Sequence, residues 1–377
     1  MKTAICDMLD IDFPLLAFSH CRDVVAAVTN AGGFGVLGAA SHTAEQLELE
    51  LAWIDEHVGG RPYGVDIICP EKFEGKGMDL TPEQIVAMVP DEHRDYVAKV
   101  LAEEGLALDD IGEEPFRVFG SVSDALGQQL LDVSFRHPIR LIANALGVPP
   151  GFMIERAKAE SVPVAALVGA KEHAIKQVQA GVDVLVAQGT EAGGHCGEVT
   201  TMVLVPEVIE VIREVRDVPV LAAGGIVTGR QMAAAVALGA AGAWTGSVWL
   251  TTEEAETAPH TVQKLLAATS RDTVRSKART GKPSRQLRSA WTRAWEADAG
   301  GPAPLPLPLQ SVISETVLRR LDTLAEKGNK GAQDLATYWV GQGVGLMNKV
   351  RSAREVVRDM IEDYLDATER LTRSLED

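Results

Sequence analysis

Eight short apolar runs recur along the chain, at 14–18, 35–38, 63–68, 140–145, 163–168, 183–188, 219–223 and 242–246. Several are apolar at consecutive positions, the pattern of parallel strands covered by helices on one face and a core on the other. Between them lie helical patterns at 22–30, 44–57, 151–160, 171–180, 206–216 and 229–238. Asn30-Ala-Gly-Gly33 and Gln179-Ala-Gly181 place glycine just past a helix end, where the left-handed conformation is cheapest. Eight strand–helix alternations predict an α/β fold, a (β/α)8 TIM barrel. An open doubly wound sheet would need a glycine fingerprint after the first strand, and Gly32-Gly-Phe-Gly35 comes before the second strand instead.

Two stretches break the repeat. Residues 70–120 are long and acidic, with a helical pattern at 81–104, and read as an insertion after strand 3 on the side where such barrels do chemistry: a lid, an interface or a solvated excursion. After 252 the alternation stops. The predicted organisation is a barrel over 1–252, a small extra domain with a proline-rich linker over 253–310, and C-terminal helices over 311–377 that pack on the barrel, the last an amphipathic helix at 352–375.

Composition narrows the partners. The chain has 377 residues, 46% hydrophobic, enough for a large core without staples, and a formal net charge of −17. That charge argues against nucleic acid or an anionic membrane surface as partner. Cys6, Cys21, Cys69 and Cys196 form no CxxC pair and no zinc spacing, so no metal is expected. The acidic start fits no leader peptide, and Gly239, Gly242 and Gly246 divide the uncharged stretch 231–250 into a helix and a strand, so no membrane span is expected and a cytoplasmic location is. A homo-oligomer stays open.

The chemistry concentrates at strand ends. The sixth run delivers Gln188-Gly-Thr-Glu-Ala-Gly-Gly-His195 into a glycine loop. Imidazole ordinarily titrates near neutrality, so His195 suits proton abstraction from carbon. Glu191 is read as a hydrogen-bonding brace of that loop, and Cys196 lacks a base partner for a nucleophile's role. The turns Gly224-Gly225 and Gly246-Ser247 close the last two strands, where this fold commonly binds a phosphate on backbone N–H groups and a helix N-terminus.

The 188–195 segment resembles the signature of nitronate monooxygenases, the 2-nitropropane dioxygenase family. The resemblance implies an FMN-dependent barrel with His195 as catalytic base. It places Ala17, Phe18, Asp66, Gln188, Gly193 and Gly194 beside the flavin, puts the FMN phosphate at Gly224, Gly225, Gly246 and Ser247, and marks His20 and Asn144 for substrate contact. The chain departs from the family at Phe18 and His20, where small residues are usual, at Asp66, where relatives often carry asparagine, and at Asn144, where they carry serine or threonine. The basic run 271–285 reads as a solvated face or as a contact for a phosphate-bearing substrate, and 281–285 resembles a family element at the site mouth. The implied activity is oxidation of alkyl nitronates by O2 to a carbonyl compound and nitrite. The alternative is an enoyl-thioester reductase or acyl-CoA dehydrogenating oxidoreductase of the same fold, for which NAD(P)H would be the partner. A barrel that binds a phosphate ligand without turnover, or one resembling inosine monophosphate dehydrogenase with Cys196 as nucleophile, also fits the phosphate turns.

Overall fold

A computed structural model describes residues 1–71, 80–112, 116 and 124–375, so part of the insertion expected at 70–120 lies outside the described residues. Eight parallel strands close into a barrel: β1 (Leu15–Ser19), β2 (Phe34–Gly38), β3 (Gly64–Ile67), β4 (Leu141–Asn144), β5 (Val164–Val168), β6 (Val184–Gln188), β8 (Val220–Ala223) and β9 (Gly242–Thr245), with β1 pairing back onto β9. All eight fall within two residues of the predicted runs. A second, antiparallel sheet of three strands holds β7 (Gly194–His195), β11 (Ser284–Leu287) and β10 (Thr273–Ser276), in the order β10-β11-β7.

Alternation along each strand sorts the barrel into two cores. Leu16, Phe34, Val36, Leu141, Ala143, Ala165, Val184, Val186, Leu221, Ala223 and Trp244 fill the lumen as one apolar cluster. Their strand neighbours, among them Leu15, Ala17, Val65, Ile67, Ile142, Leu185 and Ala222, pack outward against the helices. The N-terminal helix Ala4–Leu9 adds Ile5, Cys6 and Leu9 to the lumen cluster, and Thr3 just before it bonds the carbonyl of Ala241 at the entry of β9. That end of the barrel is therefore plugged, and the opposite end, where the strands terminate, is left for a site.

Two helices differ from expectation. The helix predicted from Pro206 begins at Thr201 and ends at Arg213. Pro206 is interior, and the bond it cannot donate falls to the carbonyl of Met202, whose side chain is among the exposed apolar groups and whose surroundings admit water. The pattern at 81–104 is two helices, Pro82–Ala87 and Asp91–Glu103, broken at Pro90. The second of these does not stand alone. Val97, Val100 and Leu101 share an apolar cluster with Trp291, Trp295, Val312, Ile313, Val317, Leu321 and Leu335, so the insertion and the helix Leu309–Glu326 form one core apart from the barrel. The C-terminal helix Ala353–Arg373, started by a Ser352–Glu355 capping box, instead packs on the barrel helix Gly229–Ala237.

Candidate active site

The loop after β6 is held by close backbone approaches and by one carboxylate. A Cβ at Gly189 would lie 2.3 Å from the backbone nitrogen of Thr201, so only glycine fits there. Glu191 Oε2 accepts from the backbone N–H and the hydroxyl of Thr201, both at 2.9 Å, which places a negative charge at the start of the helix Thr201–Arg213. This is the bracing role expected of Glu191. The loop then becomes β7, where His195 pairs with Ser284 and Gly194 with Arg285 of β11.

Three arginines of the basic run belong to that support, while Arg271 and Lys277 stay exposed. Arg285 is buried, donating from Nε to the Thr190 carbonyl at 2.7 Å and from Nη1 to Thr273 Oγ1 at 3.1 Å, while Arg275 Nε donates to the Cys196 carbonyl at 3.3 Å. Arg279 is 7% exposed and forms a two-pronged pair with Glu315, also 7% exposed, at 2.9 and 2.7 Å. Its guanidinium lies 3.9 Å from the ring centre of Trp339.

His195 sits within this frame. Its Nε2 lies 2.8 Å from Thr280 Oγ1, and its ring centre 6.2 Å from that of Trp339. Burial, followed by the positive charges of Lys282 and Arg279, pulls the imidazole down to about 4. It is therefore neutral at physiological pH, with one ring nitrogen unprotonated. Thr280 Oγ1 also lies 3.3 Å from the Lys282 carbonyl, so the hydroxyl can donate there and accept from Nε2–H, leaving Nδ1 as the basic nitrogen.

Aromatic rings gather at the ends of β1 and β9. Phe18 stacks near Trp244, with ring centres 6.3 Å apart, and meets His20 edge-on at 5.1 Å. His20 Nδ1 bonds the Gly38 carbonyl at 2.8 Å. The His20 side chain is exposed, and desolvation by the surrounding protein is the largest cause of its lowered pKa. Asp66 points into the lumen, since Val65 and Ile67 on either side pack outward, and it is 4% exposed with no hydrogen-bond partner for Oδ1. Gln188 ends β6 in register with Ala223, alternating with lumen-facing Val186.

Two expected residues do not turn their side chains into the lumen. Ala17 faces the helices, so only its backbone borders the barrel mouth. Asn144 also turns outward: its Oδ1 accepts from the Cys69 N–H at 2.8 Å and its Nδ2 donates to the Gly147 carbonyl at 3.2 Å. With no exposed surface, it staples the loops after β3 and β4, and substrate contact is corrected to loop support. The glycines likewise divide. A Cβ at Gly193 would strike the backbone of Val340 and Gly341, and one at Gly224 would lie 2.7 Å from Thr201 Oγ1, so both serve packing. Gly225, at φ 71°, makes the turn above Glu191. Gly194 and Gly246 have nothing within 4 Å of such a Cβ and open onto free space. Ser247 Oγ accepts from the Gly341 N–H at 2.8 Å and begins a short 3-10 helix, Ser247–Thr251.

Sequence reasoning missed Thr280, Trp244, Trp339 and Gly341. The glycine-rich stretch Trp339-Val-Gly-Gln-Gly-Val-Gly345 was a usable signal, because such a run marks close backbone approach, here to Glu191, Gly193 and Ser247. Aromatic rings at the strand ends, an unpartnered buried carboxyl oxygen and an open glycine turn after the last strand suit a flat heteroaromatic cofactor bearing an anionic tail. Among the described residues, no helix is long and apolar enough to cross a membrane.

The nitronate monooxygenase family model matches residues 3–363. The chain is 52% identical to the "Putative monooxygenase Rv1533" of Mycobacterium tuberculosis, over 98% of each chain. It is 27% identical to the "Probable nitronate monooxygenase" of Staphylococcus saprophyticus, over 95% of this chain and 99% of the other. Among solved structures it resembles the nitroalkane oxidase of Streptomyces ansochromogenes, with 26% identity, a TM-score of 0.79 and coverage of 98% and 100%. It also resembles FabK of Thermotoga maritima, with 25% identity, a TM-score of 0.71 and 99% of both chains covered. A closed parallel barrel, a histidine set in a braced glycine loop at its mouth and a family match over nearly the whole length agree, and the chain belongs to the nitronate monooxygenase family of flavin-dependent oxidoreductases.

Proposed function

We propose that the chain oxidises alkyl nitronates to a carbonyl compound and nitrite, with FMN as its flavin and O2 as oxidant. The observation that carries this reading is His195: a neutral imidazole at the barrel mouth, hydrogen-bonded to Thr280 and flanked by the charges of Lys282 and Arg279. Such a group accepts the α-proton of a neutral nitroalkane at its unprotonated nitrogen. The cations that disfavour imidazolium before the reaction favour the nitronate anion formed beside it, so proton transfer and charge stabilisation are supplied by one cluster. Phe18, His20 and Trp244, clustered at the ends of β1 and β9, would offer apolar ring surface to the substrate and the flavin. FMN supplies the electron acceptance when bound. Gly225, Gly246 and Ser247 would hold its phosphate, and Gln188, Asp66 and the backbone at Ala17 and Phe18 would border its ring.

Two measurements test the reading. Propyl-2-nitronate mixed with the purified holoenzyme in air is expected to yield nitrite without NAD(P)H. Steady NADH or NADPH oxidation that requires an unsaturated acyl thioester, with no nitrite, would replace this function by that of the FabK-like alternative. Gly246→Glu is expected to fold, because its side chain enters open space, and to purify with less than about a tenth of the wild-type flavin, because the carboxylate meets the phosphate. Undiminished flavin content would remove Gly246 from the phosphate site.

A further inference from the structure

Asp66 is the one lumen-facing carboxyl in the upper layer of the barrel strands. Its register neighbours offer no partner: β2 presents Gly38 and β4 presents Ala143, and the surrounding lumen side chains Phe18, Val36 and Leu167 are apolar. The titratable side chains on the adjoining elements are His20, which bonds the Gly38 carbonyl, His42 after β2, and Cys69 and Glu71 after β3. None of them shifts the pKa of Asp66, which burial alone pushes up to about 7. Oδ1 is left without a donor in a site that a flat ligand with carbonyl oxygens is to fill. A carboxylate in that place would be unpaired and desolvated, whereas a carboxylic acid can donate.

Resting on the flavin reading above, we propose that Asp66 holds a proton in the free barrel and donates it in a hydrogen bond to a carbonyl oxygen of the bound flavin ring, so that flavin affinity in this chain is linked to pH. An amide donates at every pH, so an asparagine at this place would give no such linkage. The proton is not consumed. It stays on Asp66 in the complex, and above the titration range one proton must be taken from solvent for each flavin bound.

The test is the FMN dissociation constant of the apoprotein and of Asp66→Asn from pH 5.5 to 9, read by flavin fluorescence. The ratio of the two constants cancels the titration of the FMN phosphate. The wild-type protein is expected to weaken about tenfold per pH unit above roughly 7.5 relative to the variant, the slope of one linked proton. A ratio independent of pH, or wild-type affinity that rises with pH relative to the variant, as a carboxylate accepting from a ring N–H would give, overturns the proposal. A second measurement needs no flavin. Because burial raises the folded-state pKa of Asp66, the native apoprotein retains a proton that the unfolded chain releases, and its stability falls as pH rises from about 4 to about 7. Asp66→Asn should therefore gain thermal stability relative to wild type across that window and keep the gain above it. An unchanging gap overturns the protonated state. Wild-type apoprotein that binds no flavin at any pH would instead overturn the flavin reading itself.

Discussion

His195→Asn is expected to lower turnover of a neutral nitroalkane by about 10²–10⁴-fold, the usual worth of a positioned general base, while a preformed nitronate loses less than about tenfold. Asparagine retains a donor for Thr280 and fills similar space, so the loop and the flavin should be kept. The change then isolates proton abstraction, which the nitronate does not need. The pH profile carries the same signature. With its imidazole held down to about 4 by burial, Lys282 and Arg279, His195 is neutral throughout pH 6–8. The limb of the profile assigned to it should be flat there and fall only as pH drops toward 4. Equal losses on nitroalkane and nitronate, or an acid limb near 6.5 that vanishes in His195→Asn, would remove the base role or its stated environment.

Arg279→Met is expected to cost about 3–5 kcal/mol of stability, because it leaves the Glu315 carboxylate buried without its cation. Methionine keeps part of the apolar stem against Trp339 but not the charge. Joining it to Glu315→Leu should restore most of the loss, since the penalty lies in the orphaned charge rather than in the absence of the pair. Denaturant midpoints of the two single variants and the double variant form the cycle that decides this. A single variant as stable as wild type would show the pair to be dispensable. The outcome bears on the site because the guanidinium packs on Trp339 and Thr280 is the next residue in the chain, and both meet His195.

The barrel was legible because its signal is local. Strand runs apolar on both faces, helices stopped by glycine and turns at the last two strands are written in contiguous residues, and each lies within two residues of its predicted place. Which face of a doubly apolar strand looks inward is not written there. Asn144 and Asp66 are both polar residues near strand ends, yet one turns outward onto Cys69 and Gly147 while the other enters the lumen, and only closure of the barrel decides between them. The support of His195 was hidden for a different reason. Thr280 is 85 positions away, and Trp339 lies farther still along the chain, so no periodicity links them. A run such as 271–285 looks solvated when read by charge alone, because burial of Arg279 and Arg285 depends on carbonyls and a carboxylate supplied from elsewhere.

The apolar cluster that joins the helix Asp91–Glu103 to residues near the C-terminus sets a schedule for synthesis. Val97 and Leu101 leave the ribosome early, but the residues that cover them, from Trp291 to Leu335, come roughly two hundred positions later. At about 5–20 residues per second, that is a wait on the order of ten to forty seconds. Over the same interval the barrel strands are completed, since β9 ends at Thr245. A chain halted just after β9 could close its barrel while displaying a greasy helix to the cell. Holdase chaperones should thus engage the nascent protein at 91–103, and truncation between 250 and 290 should yield aggregates even though every barrel strand is present.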